Sequence, residues 1–571
     1  MVQQVIIVGA VATGTKAACR IKRMDPSANI TLIDRDSYIS YAGCGIPYFV
    51  GGDVADLEGL QATFAHVIRD CGYFKNVKGV NVRPQVEAVS IDCKSKQLLV
   101  RNLAERIEET LCYDKLVLAT GSMPMIPDLP GVDLPGVFPV GNLHHAKAIK
   151  ERVSKGMVES AVVIGGGAKG LEMAEALTDL WGVETTLIEL KDQLLHSAFG
   201  DDMALLIQNH LSEKDVRVIL SEQVTRIVGD SENGVEAVET QNQRISCELV
   251  IIAAGTMPNV SLGKNAGLAI GETGALAVDE YMQTSDPHIY AGGDCVEMTH
   301  LVGGRKIHMP MGSLANLHGR VIGTNVAGGR ERFSGTVASC CLKVFDMAVA
   351  RAGLTVKQAE MDGFDPVFTI VVQSDRAHFY PTQELMWIKL IADAKSRKIL
   401  GIEVMGSQGD AVKARADVVG ALLLNQSDLS VLSSLEVGHT PPFAASLDII
   451  NNAANSLENI LEGRQDSITV KEFLKLFKKN EARVLDVRSK VQAGPFVEKY
   501  GDQWVNIPQE ELPDRLSDIP AGTLSLVCGS GPRSYESQLF LREKGYKETK
   551  NVQGGIGMIK YSDPDFSPSE H

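Results

Sequence analysis

In the first half of the chain the apolar positions come in short, nearly continuous runs, each closed by small residues. Val5–Val8 leads into Gly9-Ala10-Val11-Ala12-Thr13-Gly14, and a helical spacing then runs to about Met24. A second run, Ile30–Ile33, ends in Asp34. The pattern recurs downstream. Ala161–Ile164 leads into Gly165-Gly166-Gly167-Ala168-Lys169-Gly170, a helical stretch follows to about Leu180, and Thr185–Ile188 ends in Glu189. Continuous apolar runs predict strands buried on both faces, as in a parallel sheet covered by helices. Lys115–Leu118, Val250–Ile252 and Ile289–Ala291 are further strands of this kind, closing in turns that carry Thr120-Gly121, Gly255 and Gly293-Asp294.

After Glu331 the pattern changes. Thr336–Val344, Met347–Leu354, Phe368–Gln373 and Leu385–Ala392 are predicted strands, and Ala411–Leu424 an amphipathic helix. A proline-bearing turn follows at Gly438-His439-Thr440-Pro441-Pro442. Asn451–Asp466 is polar and predicts a linker, although part of it has helical spacing. A new unit then begins: a helix over Ile468–Phe477, a strand Arg483–Arg488, the run Asn506-Ile507-Pro508, and a strand Leu524–Val527. That strand ends in Cys528-Gly529-Ser530-Gly531-Pro532-Arg533-Ser534, and a helix follows to about Lys544. The expected organisation is α/β. Residues 1–148 and 276–330 form one nucleotide-binding domain and 149–275 a second. An α+β domain spans 331–450, a linker 451–467, and a last α/β domain 468–571.

Strand, glycine turn, helix, strand, acid is the βαβ dinucleotide fingerprint. The second copy has all three glycines, Gly165, Gly167 and Gly170. Glu189 would accept from a ribose 2′-hydroxyl and repel a 2′-phosphate, which favours NADH over NADPH. In the first copy Val11 replaces the middle glycine, while Gly9 and Gly14 remain and Asp34 is the acid. Pyrophosphate would lie at each helix N-terminus. Two such folds predict two nucleotides.

Composition narrows the partners. The 571 residues carry a net charge of -15, which argues against nucleic acid or an anionic membrane surface. No apolar run is long enough to span a bilayer and no secretory pattern opens the chain. The ten cysteines are scattered without a C-x2-C pair, so no metal framework is expected, and a reducing, cytoplasmic compartment fits.

Two cysteines stand out. Cys44 lies in Ser40-Tyr41-Ala42-Gly43-Cys44-Gly45-Ile46-Pro47-Tyr48, and the position five after it is Phe49, so a C-x4-C dithiol is excluded. A lone thiol opening a helix favours the nucleophilic thiolate and needs a sulfur partner from elsewhere. Cys528 sits in a glycine loop whose N–H groups can turn beneath a thiolate or persulfide, with Arg533 adding positive charge.

The paired fingerprints and the Gly-Gly-Asp turn resemble the two-dinucleotide-binding flavoproteins. Leu-Asp-Val-Arg, Asn-Ile-Pro and Cys-x4-Arg-Ser resemble a single-domain rhodanese. The Ser40–Tyr48 run resembles the single-cysteine branch of that flavoprotein superfamily, and with a fused rhodanese the chain resembles the coenzyme A-disulfide and persulfide reductases. The resemblance implies FAD in the first fold, with Gly9, Val11, Ala12, Gly14, Asp34, Arg35, Ser40, Thr120, Gly121 and Asp294 as its site. NADH is implied in the second, at Gly165, Gly167, Gly170, Glu189 and Gly255. It implies a homodimer and small sulfur substrates: coenzyme A persulfide or disulfide, or polysulfide. Arg20, Lys22 and Arg23 are candidates for coenzyme A phosphates. Cys44 would form a mixed disulfide that reduced flavin reopens. Cys528 would carry sulfane sulfur on a tethered domain. Relatives present a tyrosine where this chain has His439, and Tyr380 matches their other tyrosine motif; both are candidate proton donors. Two alternatives stay open: an NADH oxidase or peroxidase with a Cys44 sulfenic acid, and a redox or sulfur-relay partner of a larger electron-transfer assembly.

Overall fold

The computed structural model describes residues 2–568 and divides into two compact units, Met1–Lys191 with Asp215–Thr336, and Asp192–Lys214 with Val337–His571. The first holds two five-stranded parallel sheets. One runs Ile289–Ala291, Lys115–Leu118, Gln4–Val8, Asn29–Ile33, Asn81–Arg83. The other runs Arg217–Ile219, Glu184–Ile188, Ser160–Ile164, Leu249–Ile252, Val137–Pro139. Their central residues, among them Ile7, Leu32, Val117, Val163 and Ile251, are wholly buried, as continuous apolar runs require. Two three-stranded and two two-stranded antiparallel sheets are further parts of this unit. No described helix is long and apolar enough to cross a membrane.

The second unit joins a five-stranded antiparallel sheet to a five-stranded parallel one. The antiparallel order is Cys340–Val344, Met347–Gly353, Ile399–Gly406, Leu385–Asp393, Pro366–Ser374. The strand Ile399–Gly406, at the centre of this sheet, is not among the sequence expectations, and the first strand begins at Cys340 rather than Thr336. The parallel sheet runs Ser467–Ile468, Thr549–Val552, Leu524–Val527, Arg483–Asp486, Trp504–Asn506. Helix Asp201–Glu213 also falls in this unit, although 149–275 was expected to form one domain. Lys389 binds Asp202 at 2.7 Å in the interior, and Glu403 accepts from the Gly200 N–H.

The expected linker is not a linker. Ile449–Leu461 is a helix capped by Asp448, which accepts from the Ile450 N–H at 3.2 Å. Its polar residues are structural: Asn451 is buried and donates to Leu432 and Leu435 carbonyls, and Asn452 donates to Gln373. Ala453, Ala454 and Leu457 are wholly buried. Nor is the last domain merely tethered. Gln553 accepts from the Ile370 N–H and donates to the Phe368 carbonyl, while Trp387 Nε1 donates to the Gly557 carbonyl. The two sheets of this unit are thus fixed to each other by side-chain hydrogen bonds to backbone groups.

Candidate functional site

Both glycine turns have one geometry. Gly9 and Gly165 adopt φ of 108° and 115°, and a Cβ on either would overlap the carbonyl of Ala119 or Ala253. A Cβ on Gly14 or Gly170 would overlap the carbonyl of Gly9 or Gly165. The acids close the turns in the same way. Asp34 Oδ2 accepts from the Ala10 N–H at 2.7 Å and Oδ1 from the Asp36 N–H at 2.9 Å. Glu189 Oε2 accepts from the Gly166 N–H at 2.6 Å and Oε1 from the Lys191 N–H at 2.8 Å. Each carboxylate therefore holds its turn and keeps lone pairs for a ribose. Burial pushes the Asp34 carboxyl up.

The turns face open space. Nothing lies within 4 Å of a Cβ built on Gly167, Gly121 or Gly255, so a ligand can meet the backbone there. Val11, Ala12 and Asp34 are half-buried and Arg35 is exposed; Ser40 is buried and its N–H donates to the Ala10 carbonyl at 2.7 Å. Thr120 Oγ1 donates to the Asn259 carbonyl at 2.7 Å. Ser122 Oγ donates to Asp294 at 3.0 Å, and His308 Nε2 meets the Asp294 carbonyl oxygen at 2.7 Å. Burial pushes the Asp294 carboxyl up. Glycine cradles, N–H groups and acids at the strand ends fit two dinucleotides.

Cys44 is exposed, in a 3₁₀ turn over Gly43–Gly45 just before the short helix Ile46–Gly51. The Ala42 N–H donates to the Leu60 carbonyl at 3.0 Å, which fixes the turn. The short helix packs on helix Ala168–Thr178 so closely that a Cβ on Gly51 would be 3.2 Å from Ala176 Cα. Trp181 Nε1 donates to the Val50 carbonyl at 2.8 Å, binding the same two segments.

This packing brings together Tyr48, Lys169 and Glu172, which sequence reasoning missed as site residues. Burial pushes the Glu172 carboxyl up to about 7, helped by Glu175 and opposed by Lys169 and by the Tyr48 hydroxyl beside it. The Tyr48 hydroxyl is pushed up to about 12 by burial and by Glu172, Glu175, Cys44 and Asp53. Desolvation of the Lys169 ammonium holds it below the usual lysine range, against the pull of Asp294 and Glu172. A carboxyl raised to about 7 thus lies beside Tyr48, whose hydroxyl is also close enough to Cys44 to feel its charge. The only sequence signal was an acid two residues after the Gly170 fingerprint position.

The three basic candidates do not converge. Arg20 Nε donates to Thr324 at 3.0 Å, Lys22 Nζ donates to the Pro26 carbonyl at 3.1 Å, and Arg23 is exposed. Arg23 instead shares the surroundings of Cys19 with Lys16, Arg69 and Lys78.

In the second unit the loops carrying Tyr380 and His439 are held as one. The Ala377 N–H donates to the Pro441 carbonyl at 3.3 Å. Buried Arg415 donates to the carbonyls of Asp375 and Phe443 and pairs with Asp448 at 2.7 Å. His439 Nδ1 meets the Ala444 carbonyl oxygen at 3.0 Å, which makes Nδ1 the donor and leaves Nε2 free to accept. His439 is exposed and Tyr380 half-buried.

Cys528 ends strand Leu524–Val527 and is 1% exposed. Its Sγ accepts from the Gly531 N–H at 3.0 Å and lies 3.3 Å from Ser534 Oγ. Gly531, at φ 116°, turns the N–H inward, and half-buried Arg533 follows in the first turn of helix Pro532–Glu543.

The profile described as pyridine nucleotide-disulphide oxidoreductase matches residues 3–314, more than half of the chain. The chain belongs to that family. It is an oxidoreductase of a family that works with FAD and a pyridine nucleotide. Residues 339–443 match the family's dimerisation domain and 469–560 a rhodanese-like domain. The chain is similar to an NAD(P)H coenzyme A polysulfide/persulfide reductase of Pyrococcus horikoshii, 33% identical over 78% of this chain and 97% of that one. Among solved structures it resembles an NAD-dependent persulfide reductase from A. fulgidus, at 37% identity, 97% and 99% coverage and a TM-score of 0.92. It also resembles the reduced Bacillus anthracis protein CoADR-RHD, at 30% identity, full coverage of both chains and a TM-score of 0.90. Both likenesses run through the rhodanese-like domain.

Proposed function

We propose that this oxidoreductase uses NADH to reduce persulfide, polysulfide or coenzyme A-disulfide substrates at Cys44, with Cys528 as sulfane-sulfur carrier, in a homodimer. The observation that carries the reading is an exposed thiol, on a turn whose short helix packs on the helix of the second nucleotide cradle, together with a buried cysteine whose Sγ accepts from the Gly531 N–H.

FAD would be held by the Gly9–Gly14 turn, Asp34, Ser40, Thr120-Gly121 and Asp294, and NADH by Gly165–Gly170, Glu189 and Gly255. When bound, FAD supplies the electron pair that reopens the mixed disulfide, drawn from NADH. The protein does the rest. The Cys44 thiolate attacks a substrate sulfur, the new S–S bond forms, and the old one breaks with its electron pair on the leaving sulfur. Glu172, through Tyr48, is a local proton source for that sulfur near neutral pH. Tyr380 matches a tyrosine motif of the family and His439 stands where relatives present a tyrosine; both remain candidate proton donors. A coenzyme A moiety would find its phosphate partners among Lys16, Arg23 and Lys78, which share the surroundings of Cys19, rather than at Arg20, Lys22 and Arg69, which already donate to protein acceptors.

The test is anaerobic NADH oxidation by the FAD-loaded protein, with coenzyme A persulfide, coenzyme A disulfide and polysulfide as competing acceptors and oxygen in a separate run. Sulfide release from the parent protein and its loss in Cys44→Ser are expected. Unchanged release in Cys44→Ser overturns the mechanism, and oxygen outpacing every sulfur acceptor favours the oxidase reading instead.

A further inference from the structure

We propose that Asn551 governs the charge state of Cys528 by competing for the single hydroxyl proton of Ser534. The inference deepens the reading of Cys528 as a sulfur carrier and rests on it for its purpose, although not for its geometry.

Ser534 is wholly buried and has one proton to give. Three acceptors lie in reach: Asn551 Oδ1 at 2.7 Å, the Gly531 carbonyl at 2.9 Å and Cys528 Sγ at 3.3 Å. Asn551 cannot turn away. Its Nδ2 donates to the Gly531 carbonyl at 3.3 Å, which aims Oδ1 at Ser534, and its N–H donates to the Asp466 carbonyl at 2.8 Å. It is 2% exposed, so no solvent replaces a lost partner.

Two arrangements follow. With Cys528 as a thiol, its S–H donates to Ser534 Oγ and Ser534 donates to Asn551. With Cys528 as a thiolate, or as a persulfide whose Sγ holds no proton, the sulfur draws on the Gly531 N–H and on Ser534. The hydroxyl must then leave Asn551, whose buried carbonyl loses its donor. Asn551 therefore favours the thiol and Ser534 the anion. Both are positioning residues, acting through Cys528. The charged groups near the sulfur do not change with either. Arg533 lies on the same loop, the Asp486–Arg488 pair closes on itself at 2.6 Å at the end of the adjoining strand, and Glu536 on the following helix accepts from Gln509. Helix Gly555–Ser562 offers the loop the N–H groups of Ile556 and Gly557, which donate to the Cys528 and Gly529 carbonyls.

The test is the pH profile of iodoacetamide labelling of Cys528 in the full-length FAD-loaded protein, read by peptide mass spectrometry. Asn551→Leu removes the nearest competing acceptor at similar volume, while the Gly531 carbonyl remains in parent and variant alike. Its labelling midpoint is expected to fall by about one pH unit, a tenfold rise in thiolate at fixed pH. Ser534→Ala is expected to raise the midpoint by a similar amount, and the double variant to match Ser534→Ala alone. Loss of packing would move both single variants the same way. Asn551→Ala, expected to shift like Asn551→Leu, serves if the leucine variant misfolds. A midpoint that rises or stays put in a folded Asn551 variant overturns the proposal. Loading with thiosulfate is the separate readout: Cys528 takes the outer sulfur, sulfite leaves with the bonding pair, and the Cys528 peptide gains one sulfur. Failure of the parent protein to load overturns the carrier reading and leaves the labelling directions to decide Asn551.

Discussion

Glu172 makes the first unit's stability and chemistry depend on pH in a defined direction. Its carboxyl rises from an ordinary 4.5 to about 7, chiefly through burial. Between those values the folded protein keeps a proton that the unfolded chain has released, so stability falls as pH rises. At about 1.4 kcal/mol per pH unit the full preference is about 3 kcal/mol; partial access to solvent reduces it to about 2 kcal/mol. Glu172→Gln keeps the shape and removes the titration. Relative to the parent, the variant should be neutral or slightly less stable at pH 5 and about 2 kcal/mol more stable by pH 8. Thermal unfolding of both FAD-loaded proteins at a series of pH values reads this as a gap in midpoint that opens in the variant's favour. The same variant should lose a limb near pH 7 from the profile of NADH-dependent sulfur reduction. Midpoints that run parallel from pH 5 to pH 8 would show that the carboxyl titrates like a free one and refute the reasoning.

Lys169→Met removes the cation that opposes Glu172's rise, so the limb should move to higher pH in the same rate profile. Gly170→Ala drives a methyl into the Gly165 carbonyl and should abolish NADH binding measured by fluorescence titration, whereas Gly167→Ala, which meets nothing within 4 Å, should fold normally and bind NADH more weakly. Arg415→Met leaves Asp448 buried without a counter-ion and should cost about 3–5 kcal/mol in thermal unfolding. Adding Asp448→Asn to that variant should recover part of the loss.

The nucleotide folds were legible because their requirements are local. A turn that brings Gly14 against the Gly9 carbonyl tolerates no side chain, so the glycine spacing carries the geometry. The acid–tyrosine–lysine cluster was not legible, because Tyr48 and Glu172 meet only where two distant helices cross, and no periodicity records which helices cross. Arg20 and Lys22 were named from charge alone, and charge does not say which carbonyl or hydroxyl a side chain has already found. Asn451 and Asn452 read as linker because polar residues usually face water. Here Asn451 is buried against the Leu432 and Leu435 carbonyls and half-buried Asn452 donates to the Gln373 side chain, a satisfaction that composition cannot show.

The misread linker changes how sulfur delivery has to work. A carrier on a flexible tether would reach its acceptor by swinging. Cys528 has no such freedom within its unit. Its carbonyl and that of Gly529 accept from Ile556 and Gly557, and the Gly557 carbonyl accepts from Trp387 on the antiparallel sheet. A Cβ on Gly557 would lie 3.1 Å from Val372, in the strand Pro366–Ser374 that runs into the Asp375–Tyr380 loop. The sulfur-bearing loop and the Tyr380–His439 loops therefore share one scaffold, and Cys528 moves with them. If Cys528 carries sulfur as proposed, that sulfur must leave on a small carrier that diffuses, or pass to an acceptor that this scaffold already holds in place. Trp387→Phe separates these routes. It removes the hydrogen bond to Gly557 while keeping an aromatic ring against Tyr561. Reduction of free persulfide should be unaffected, because it does not pass through Cys528. Reduction that starts from Cys528-loaded sulfur should slow if the scaffold sets the transfer geometry, and should stay unchanged if a diffusing carrier does the work.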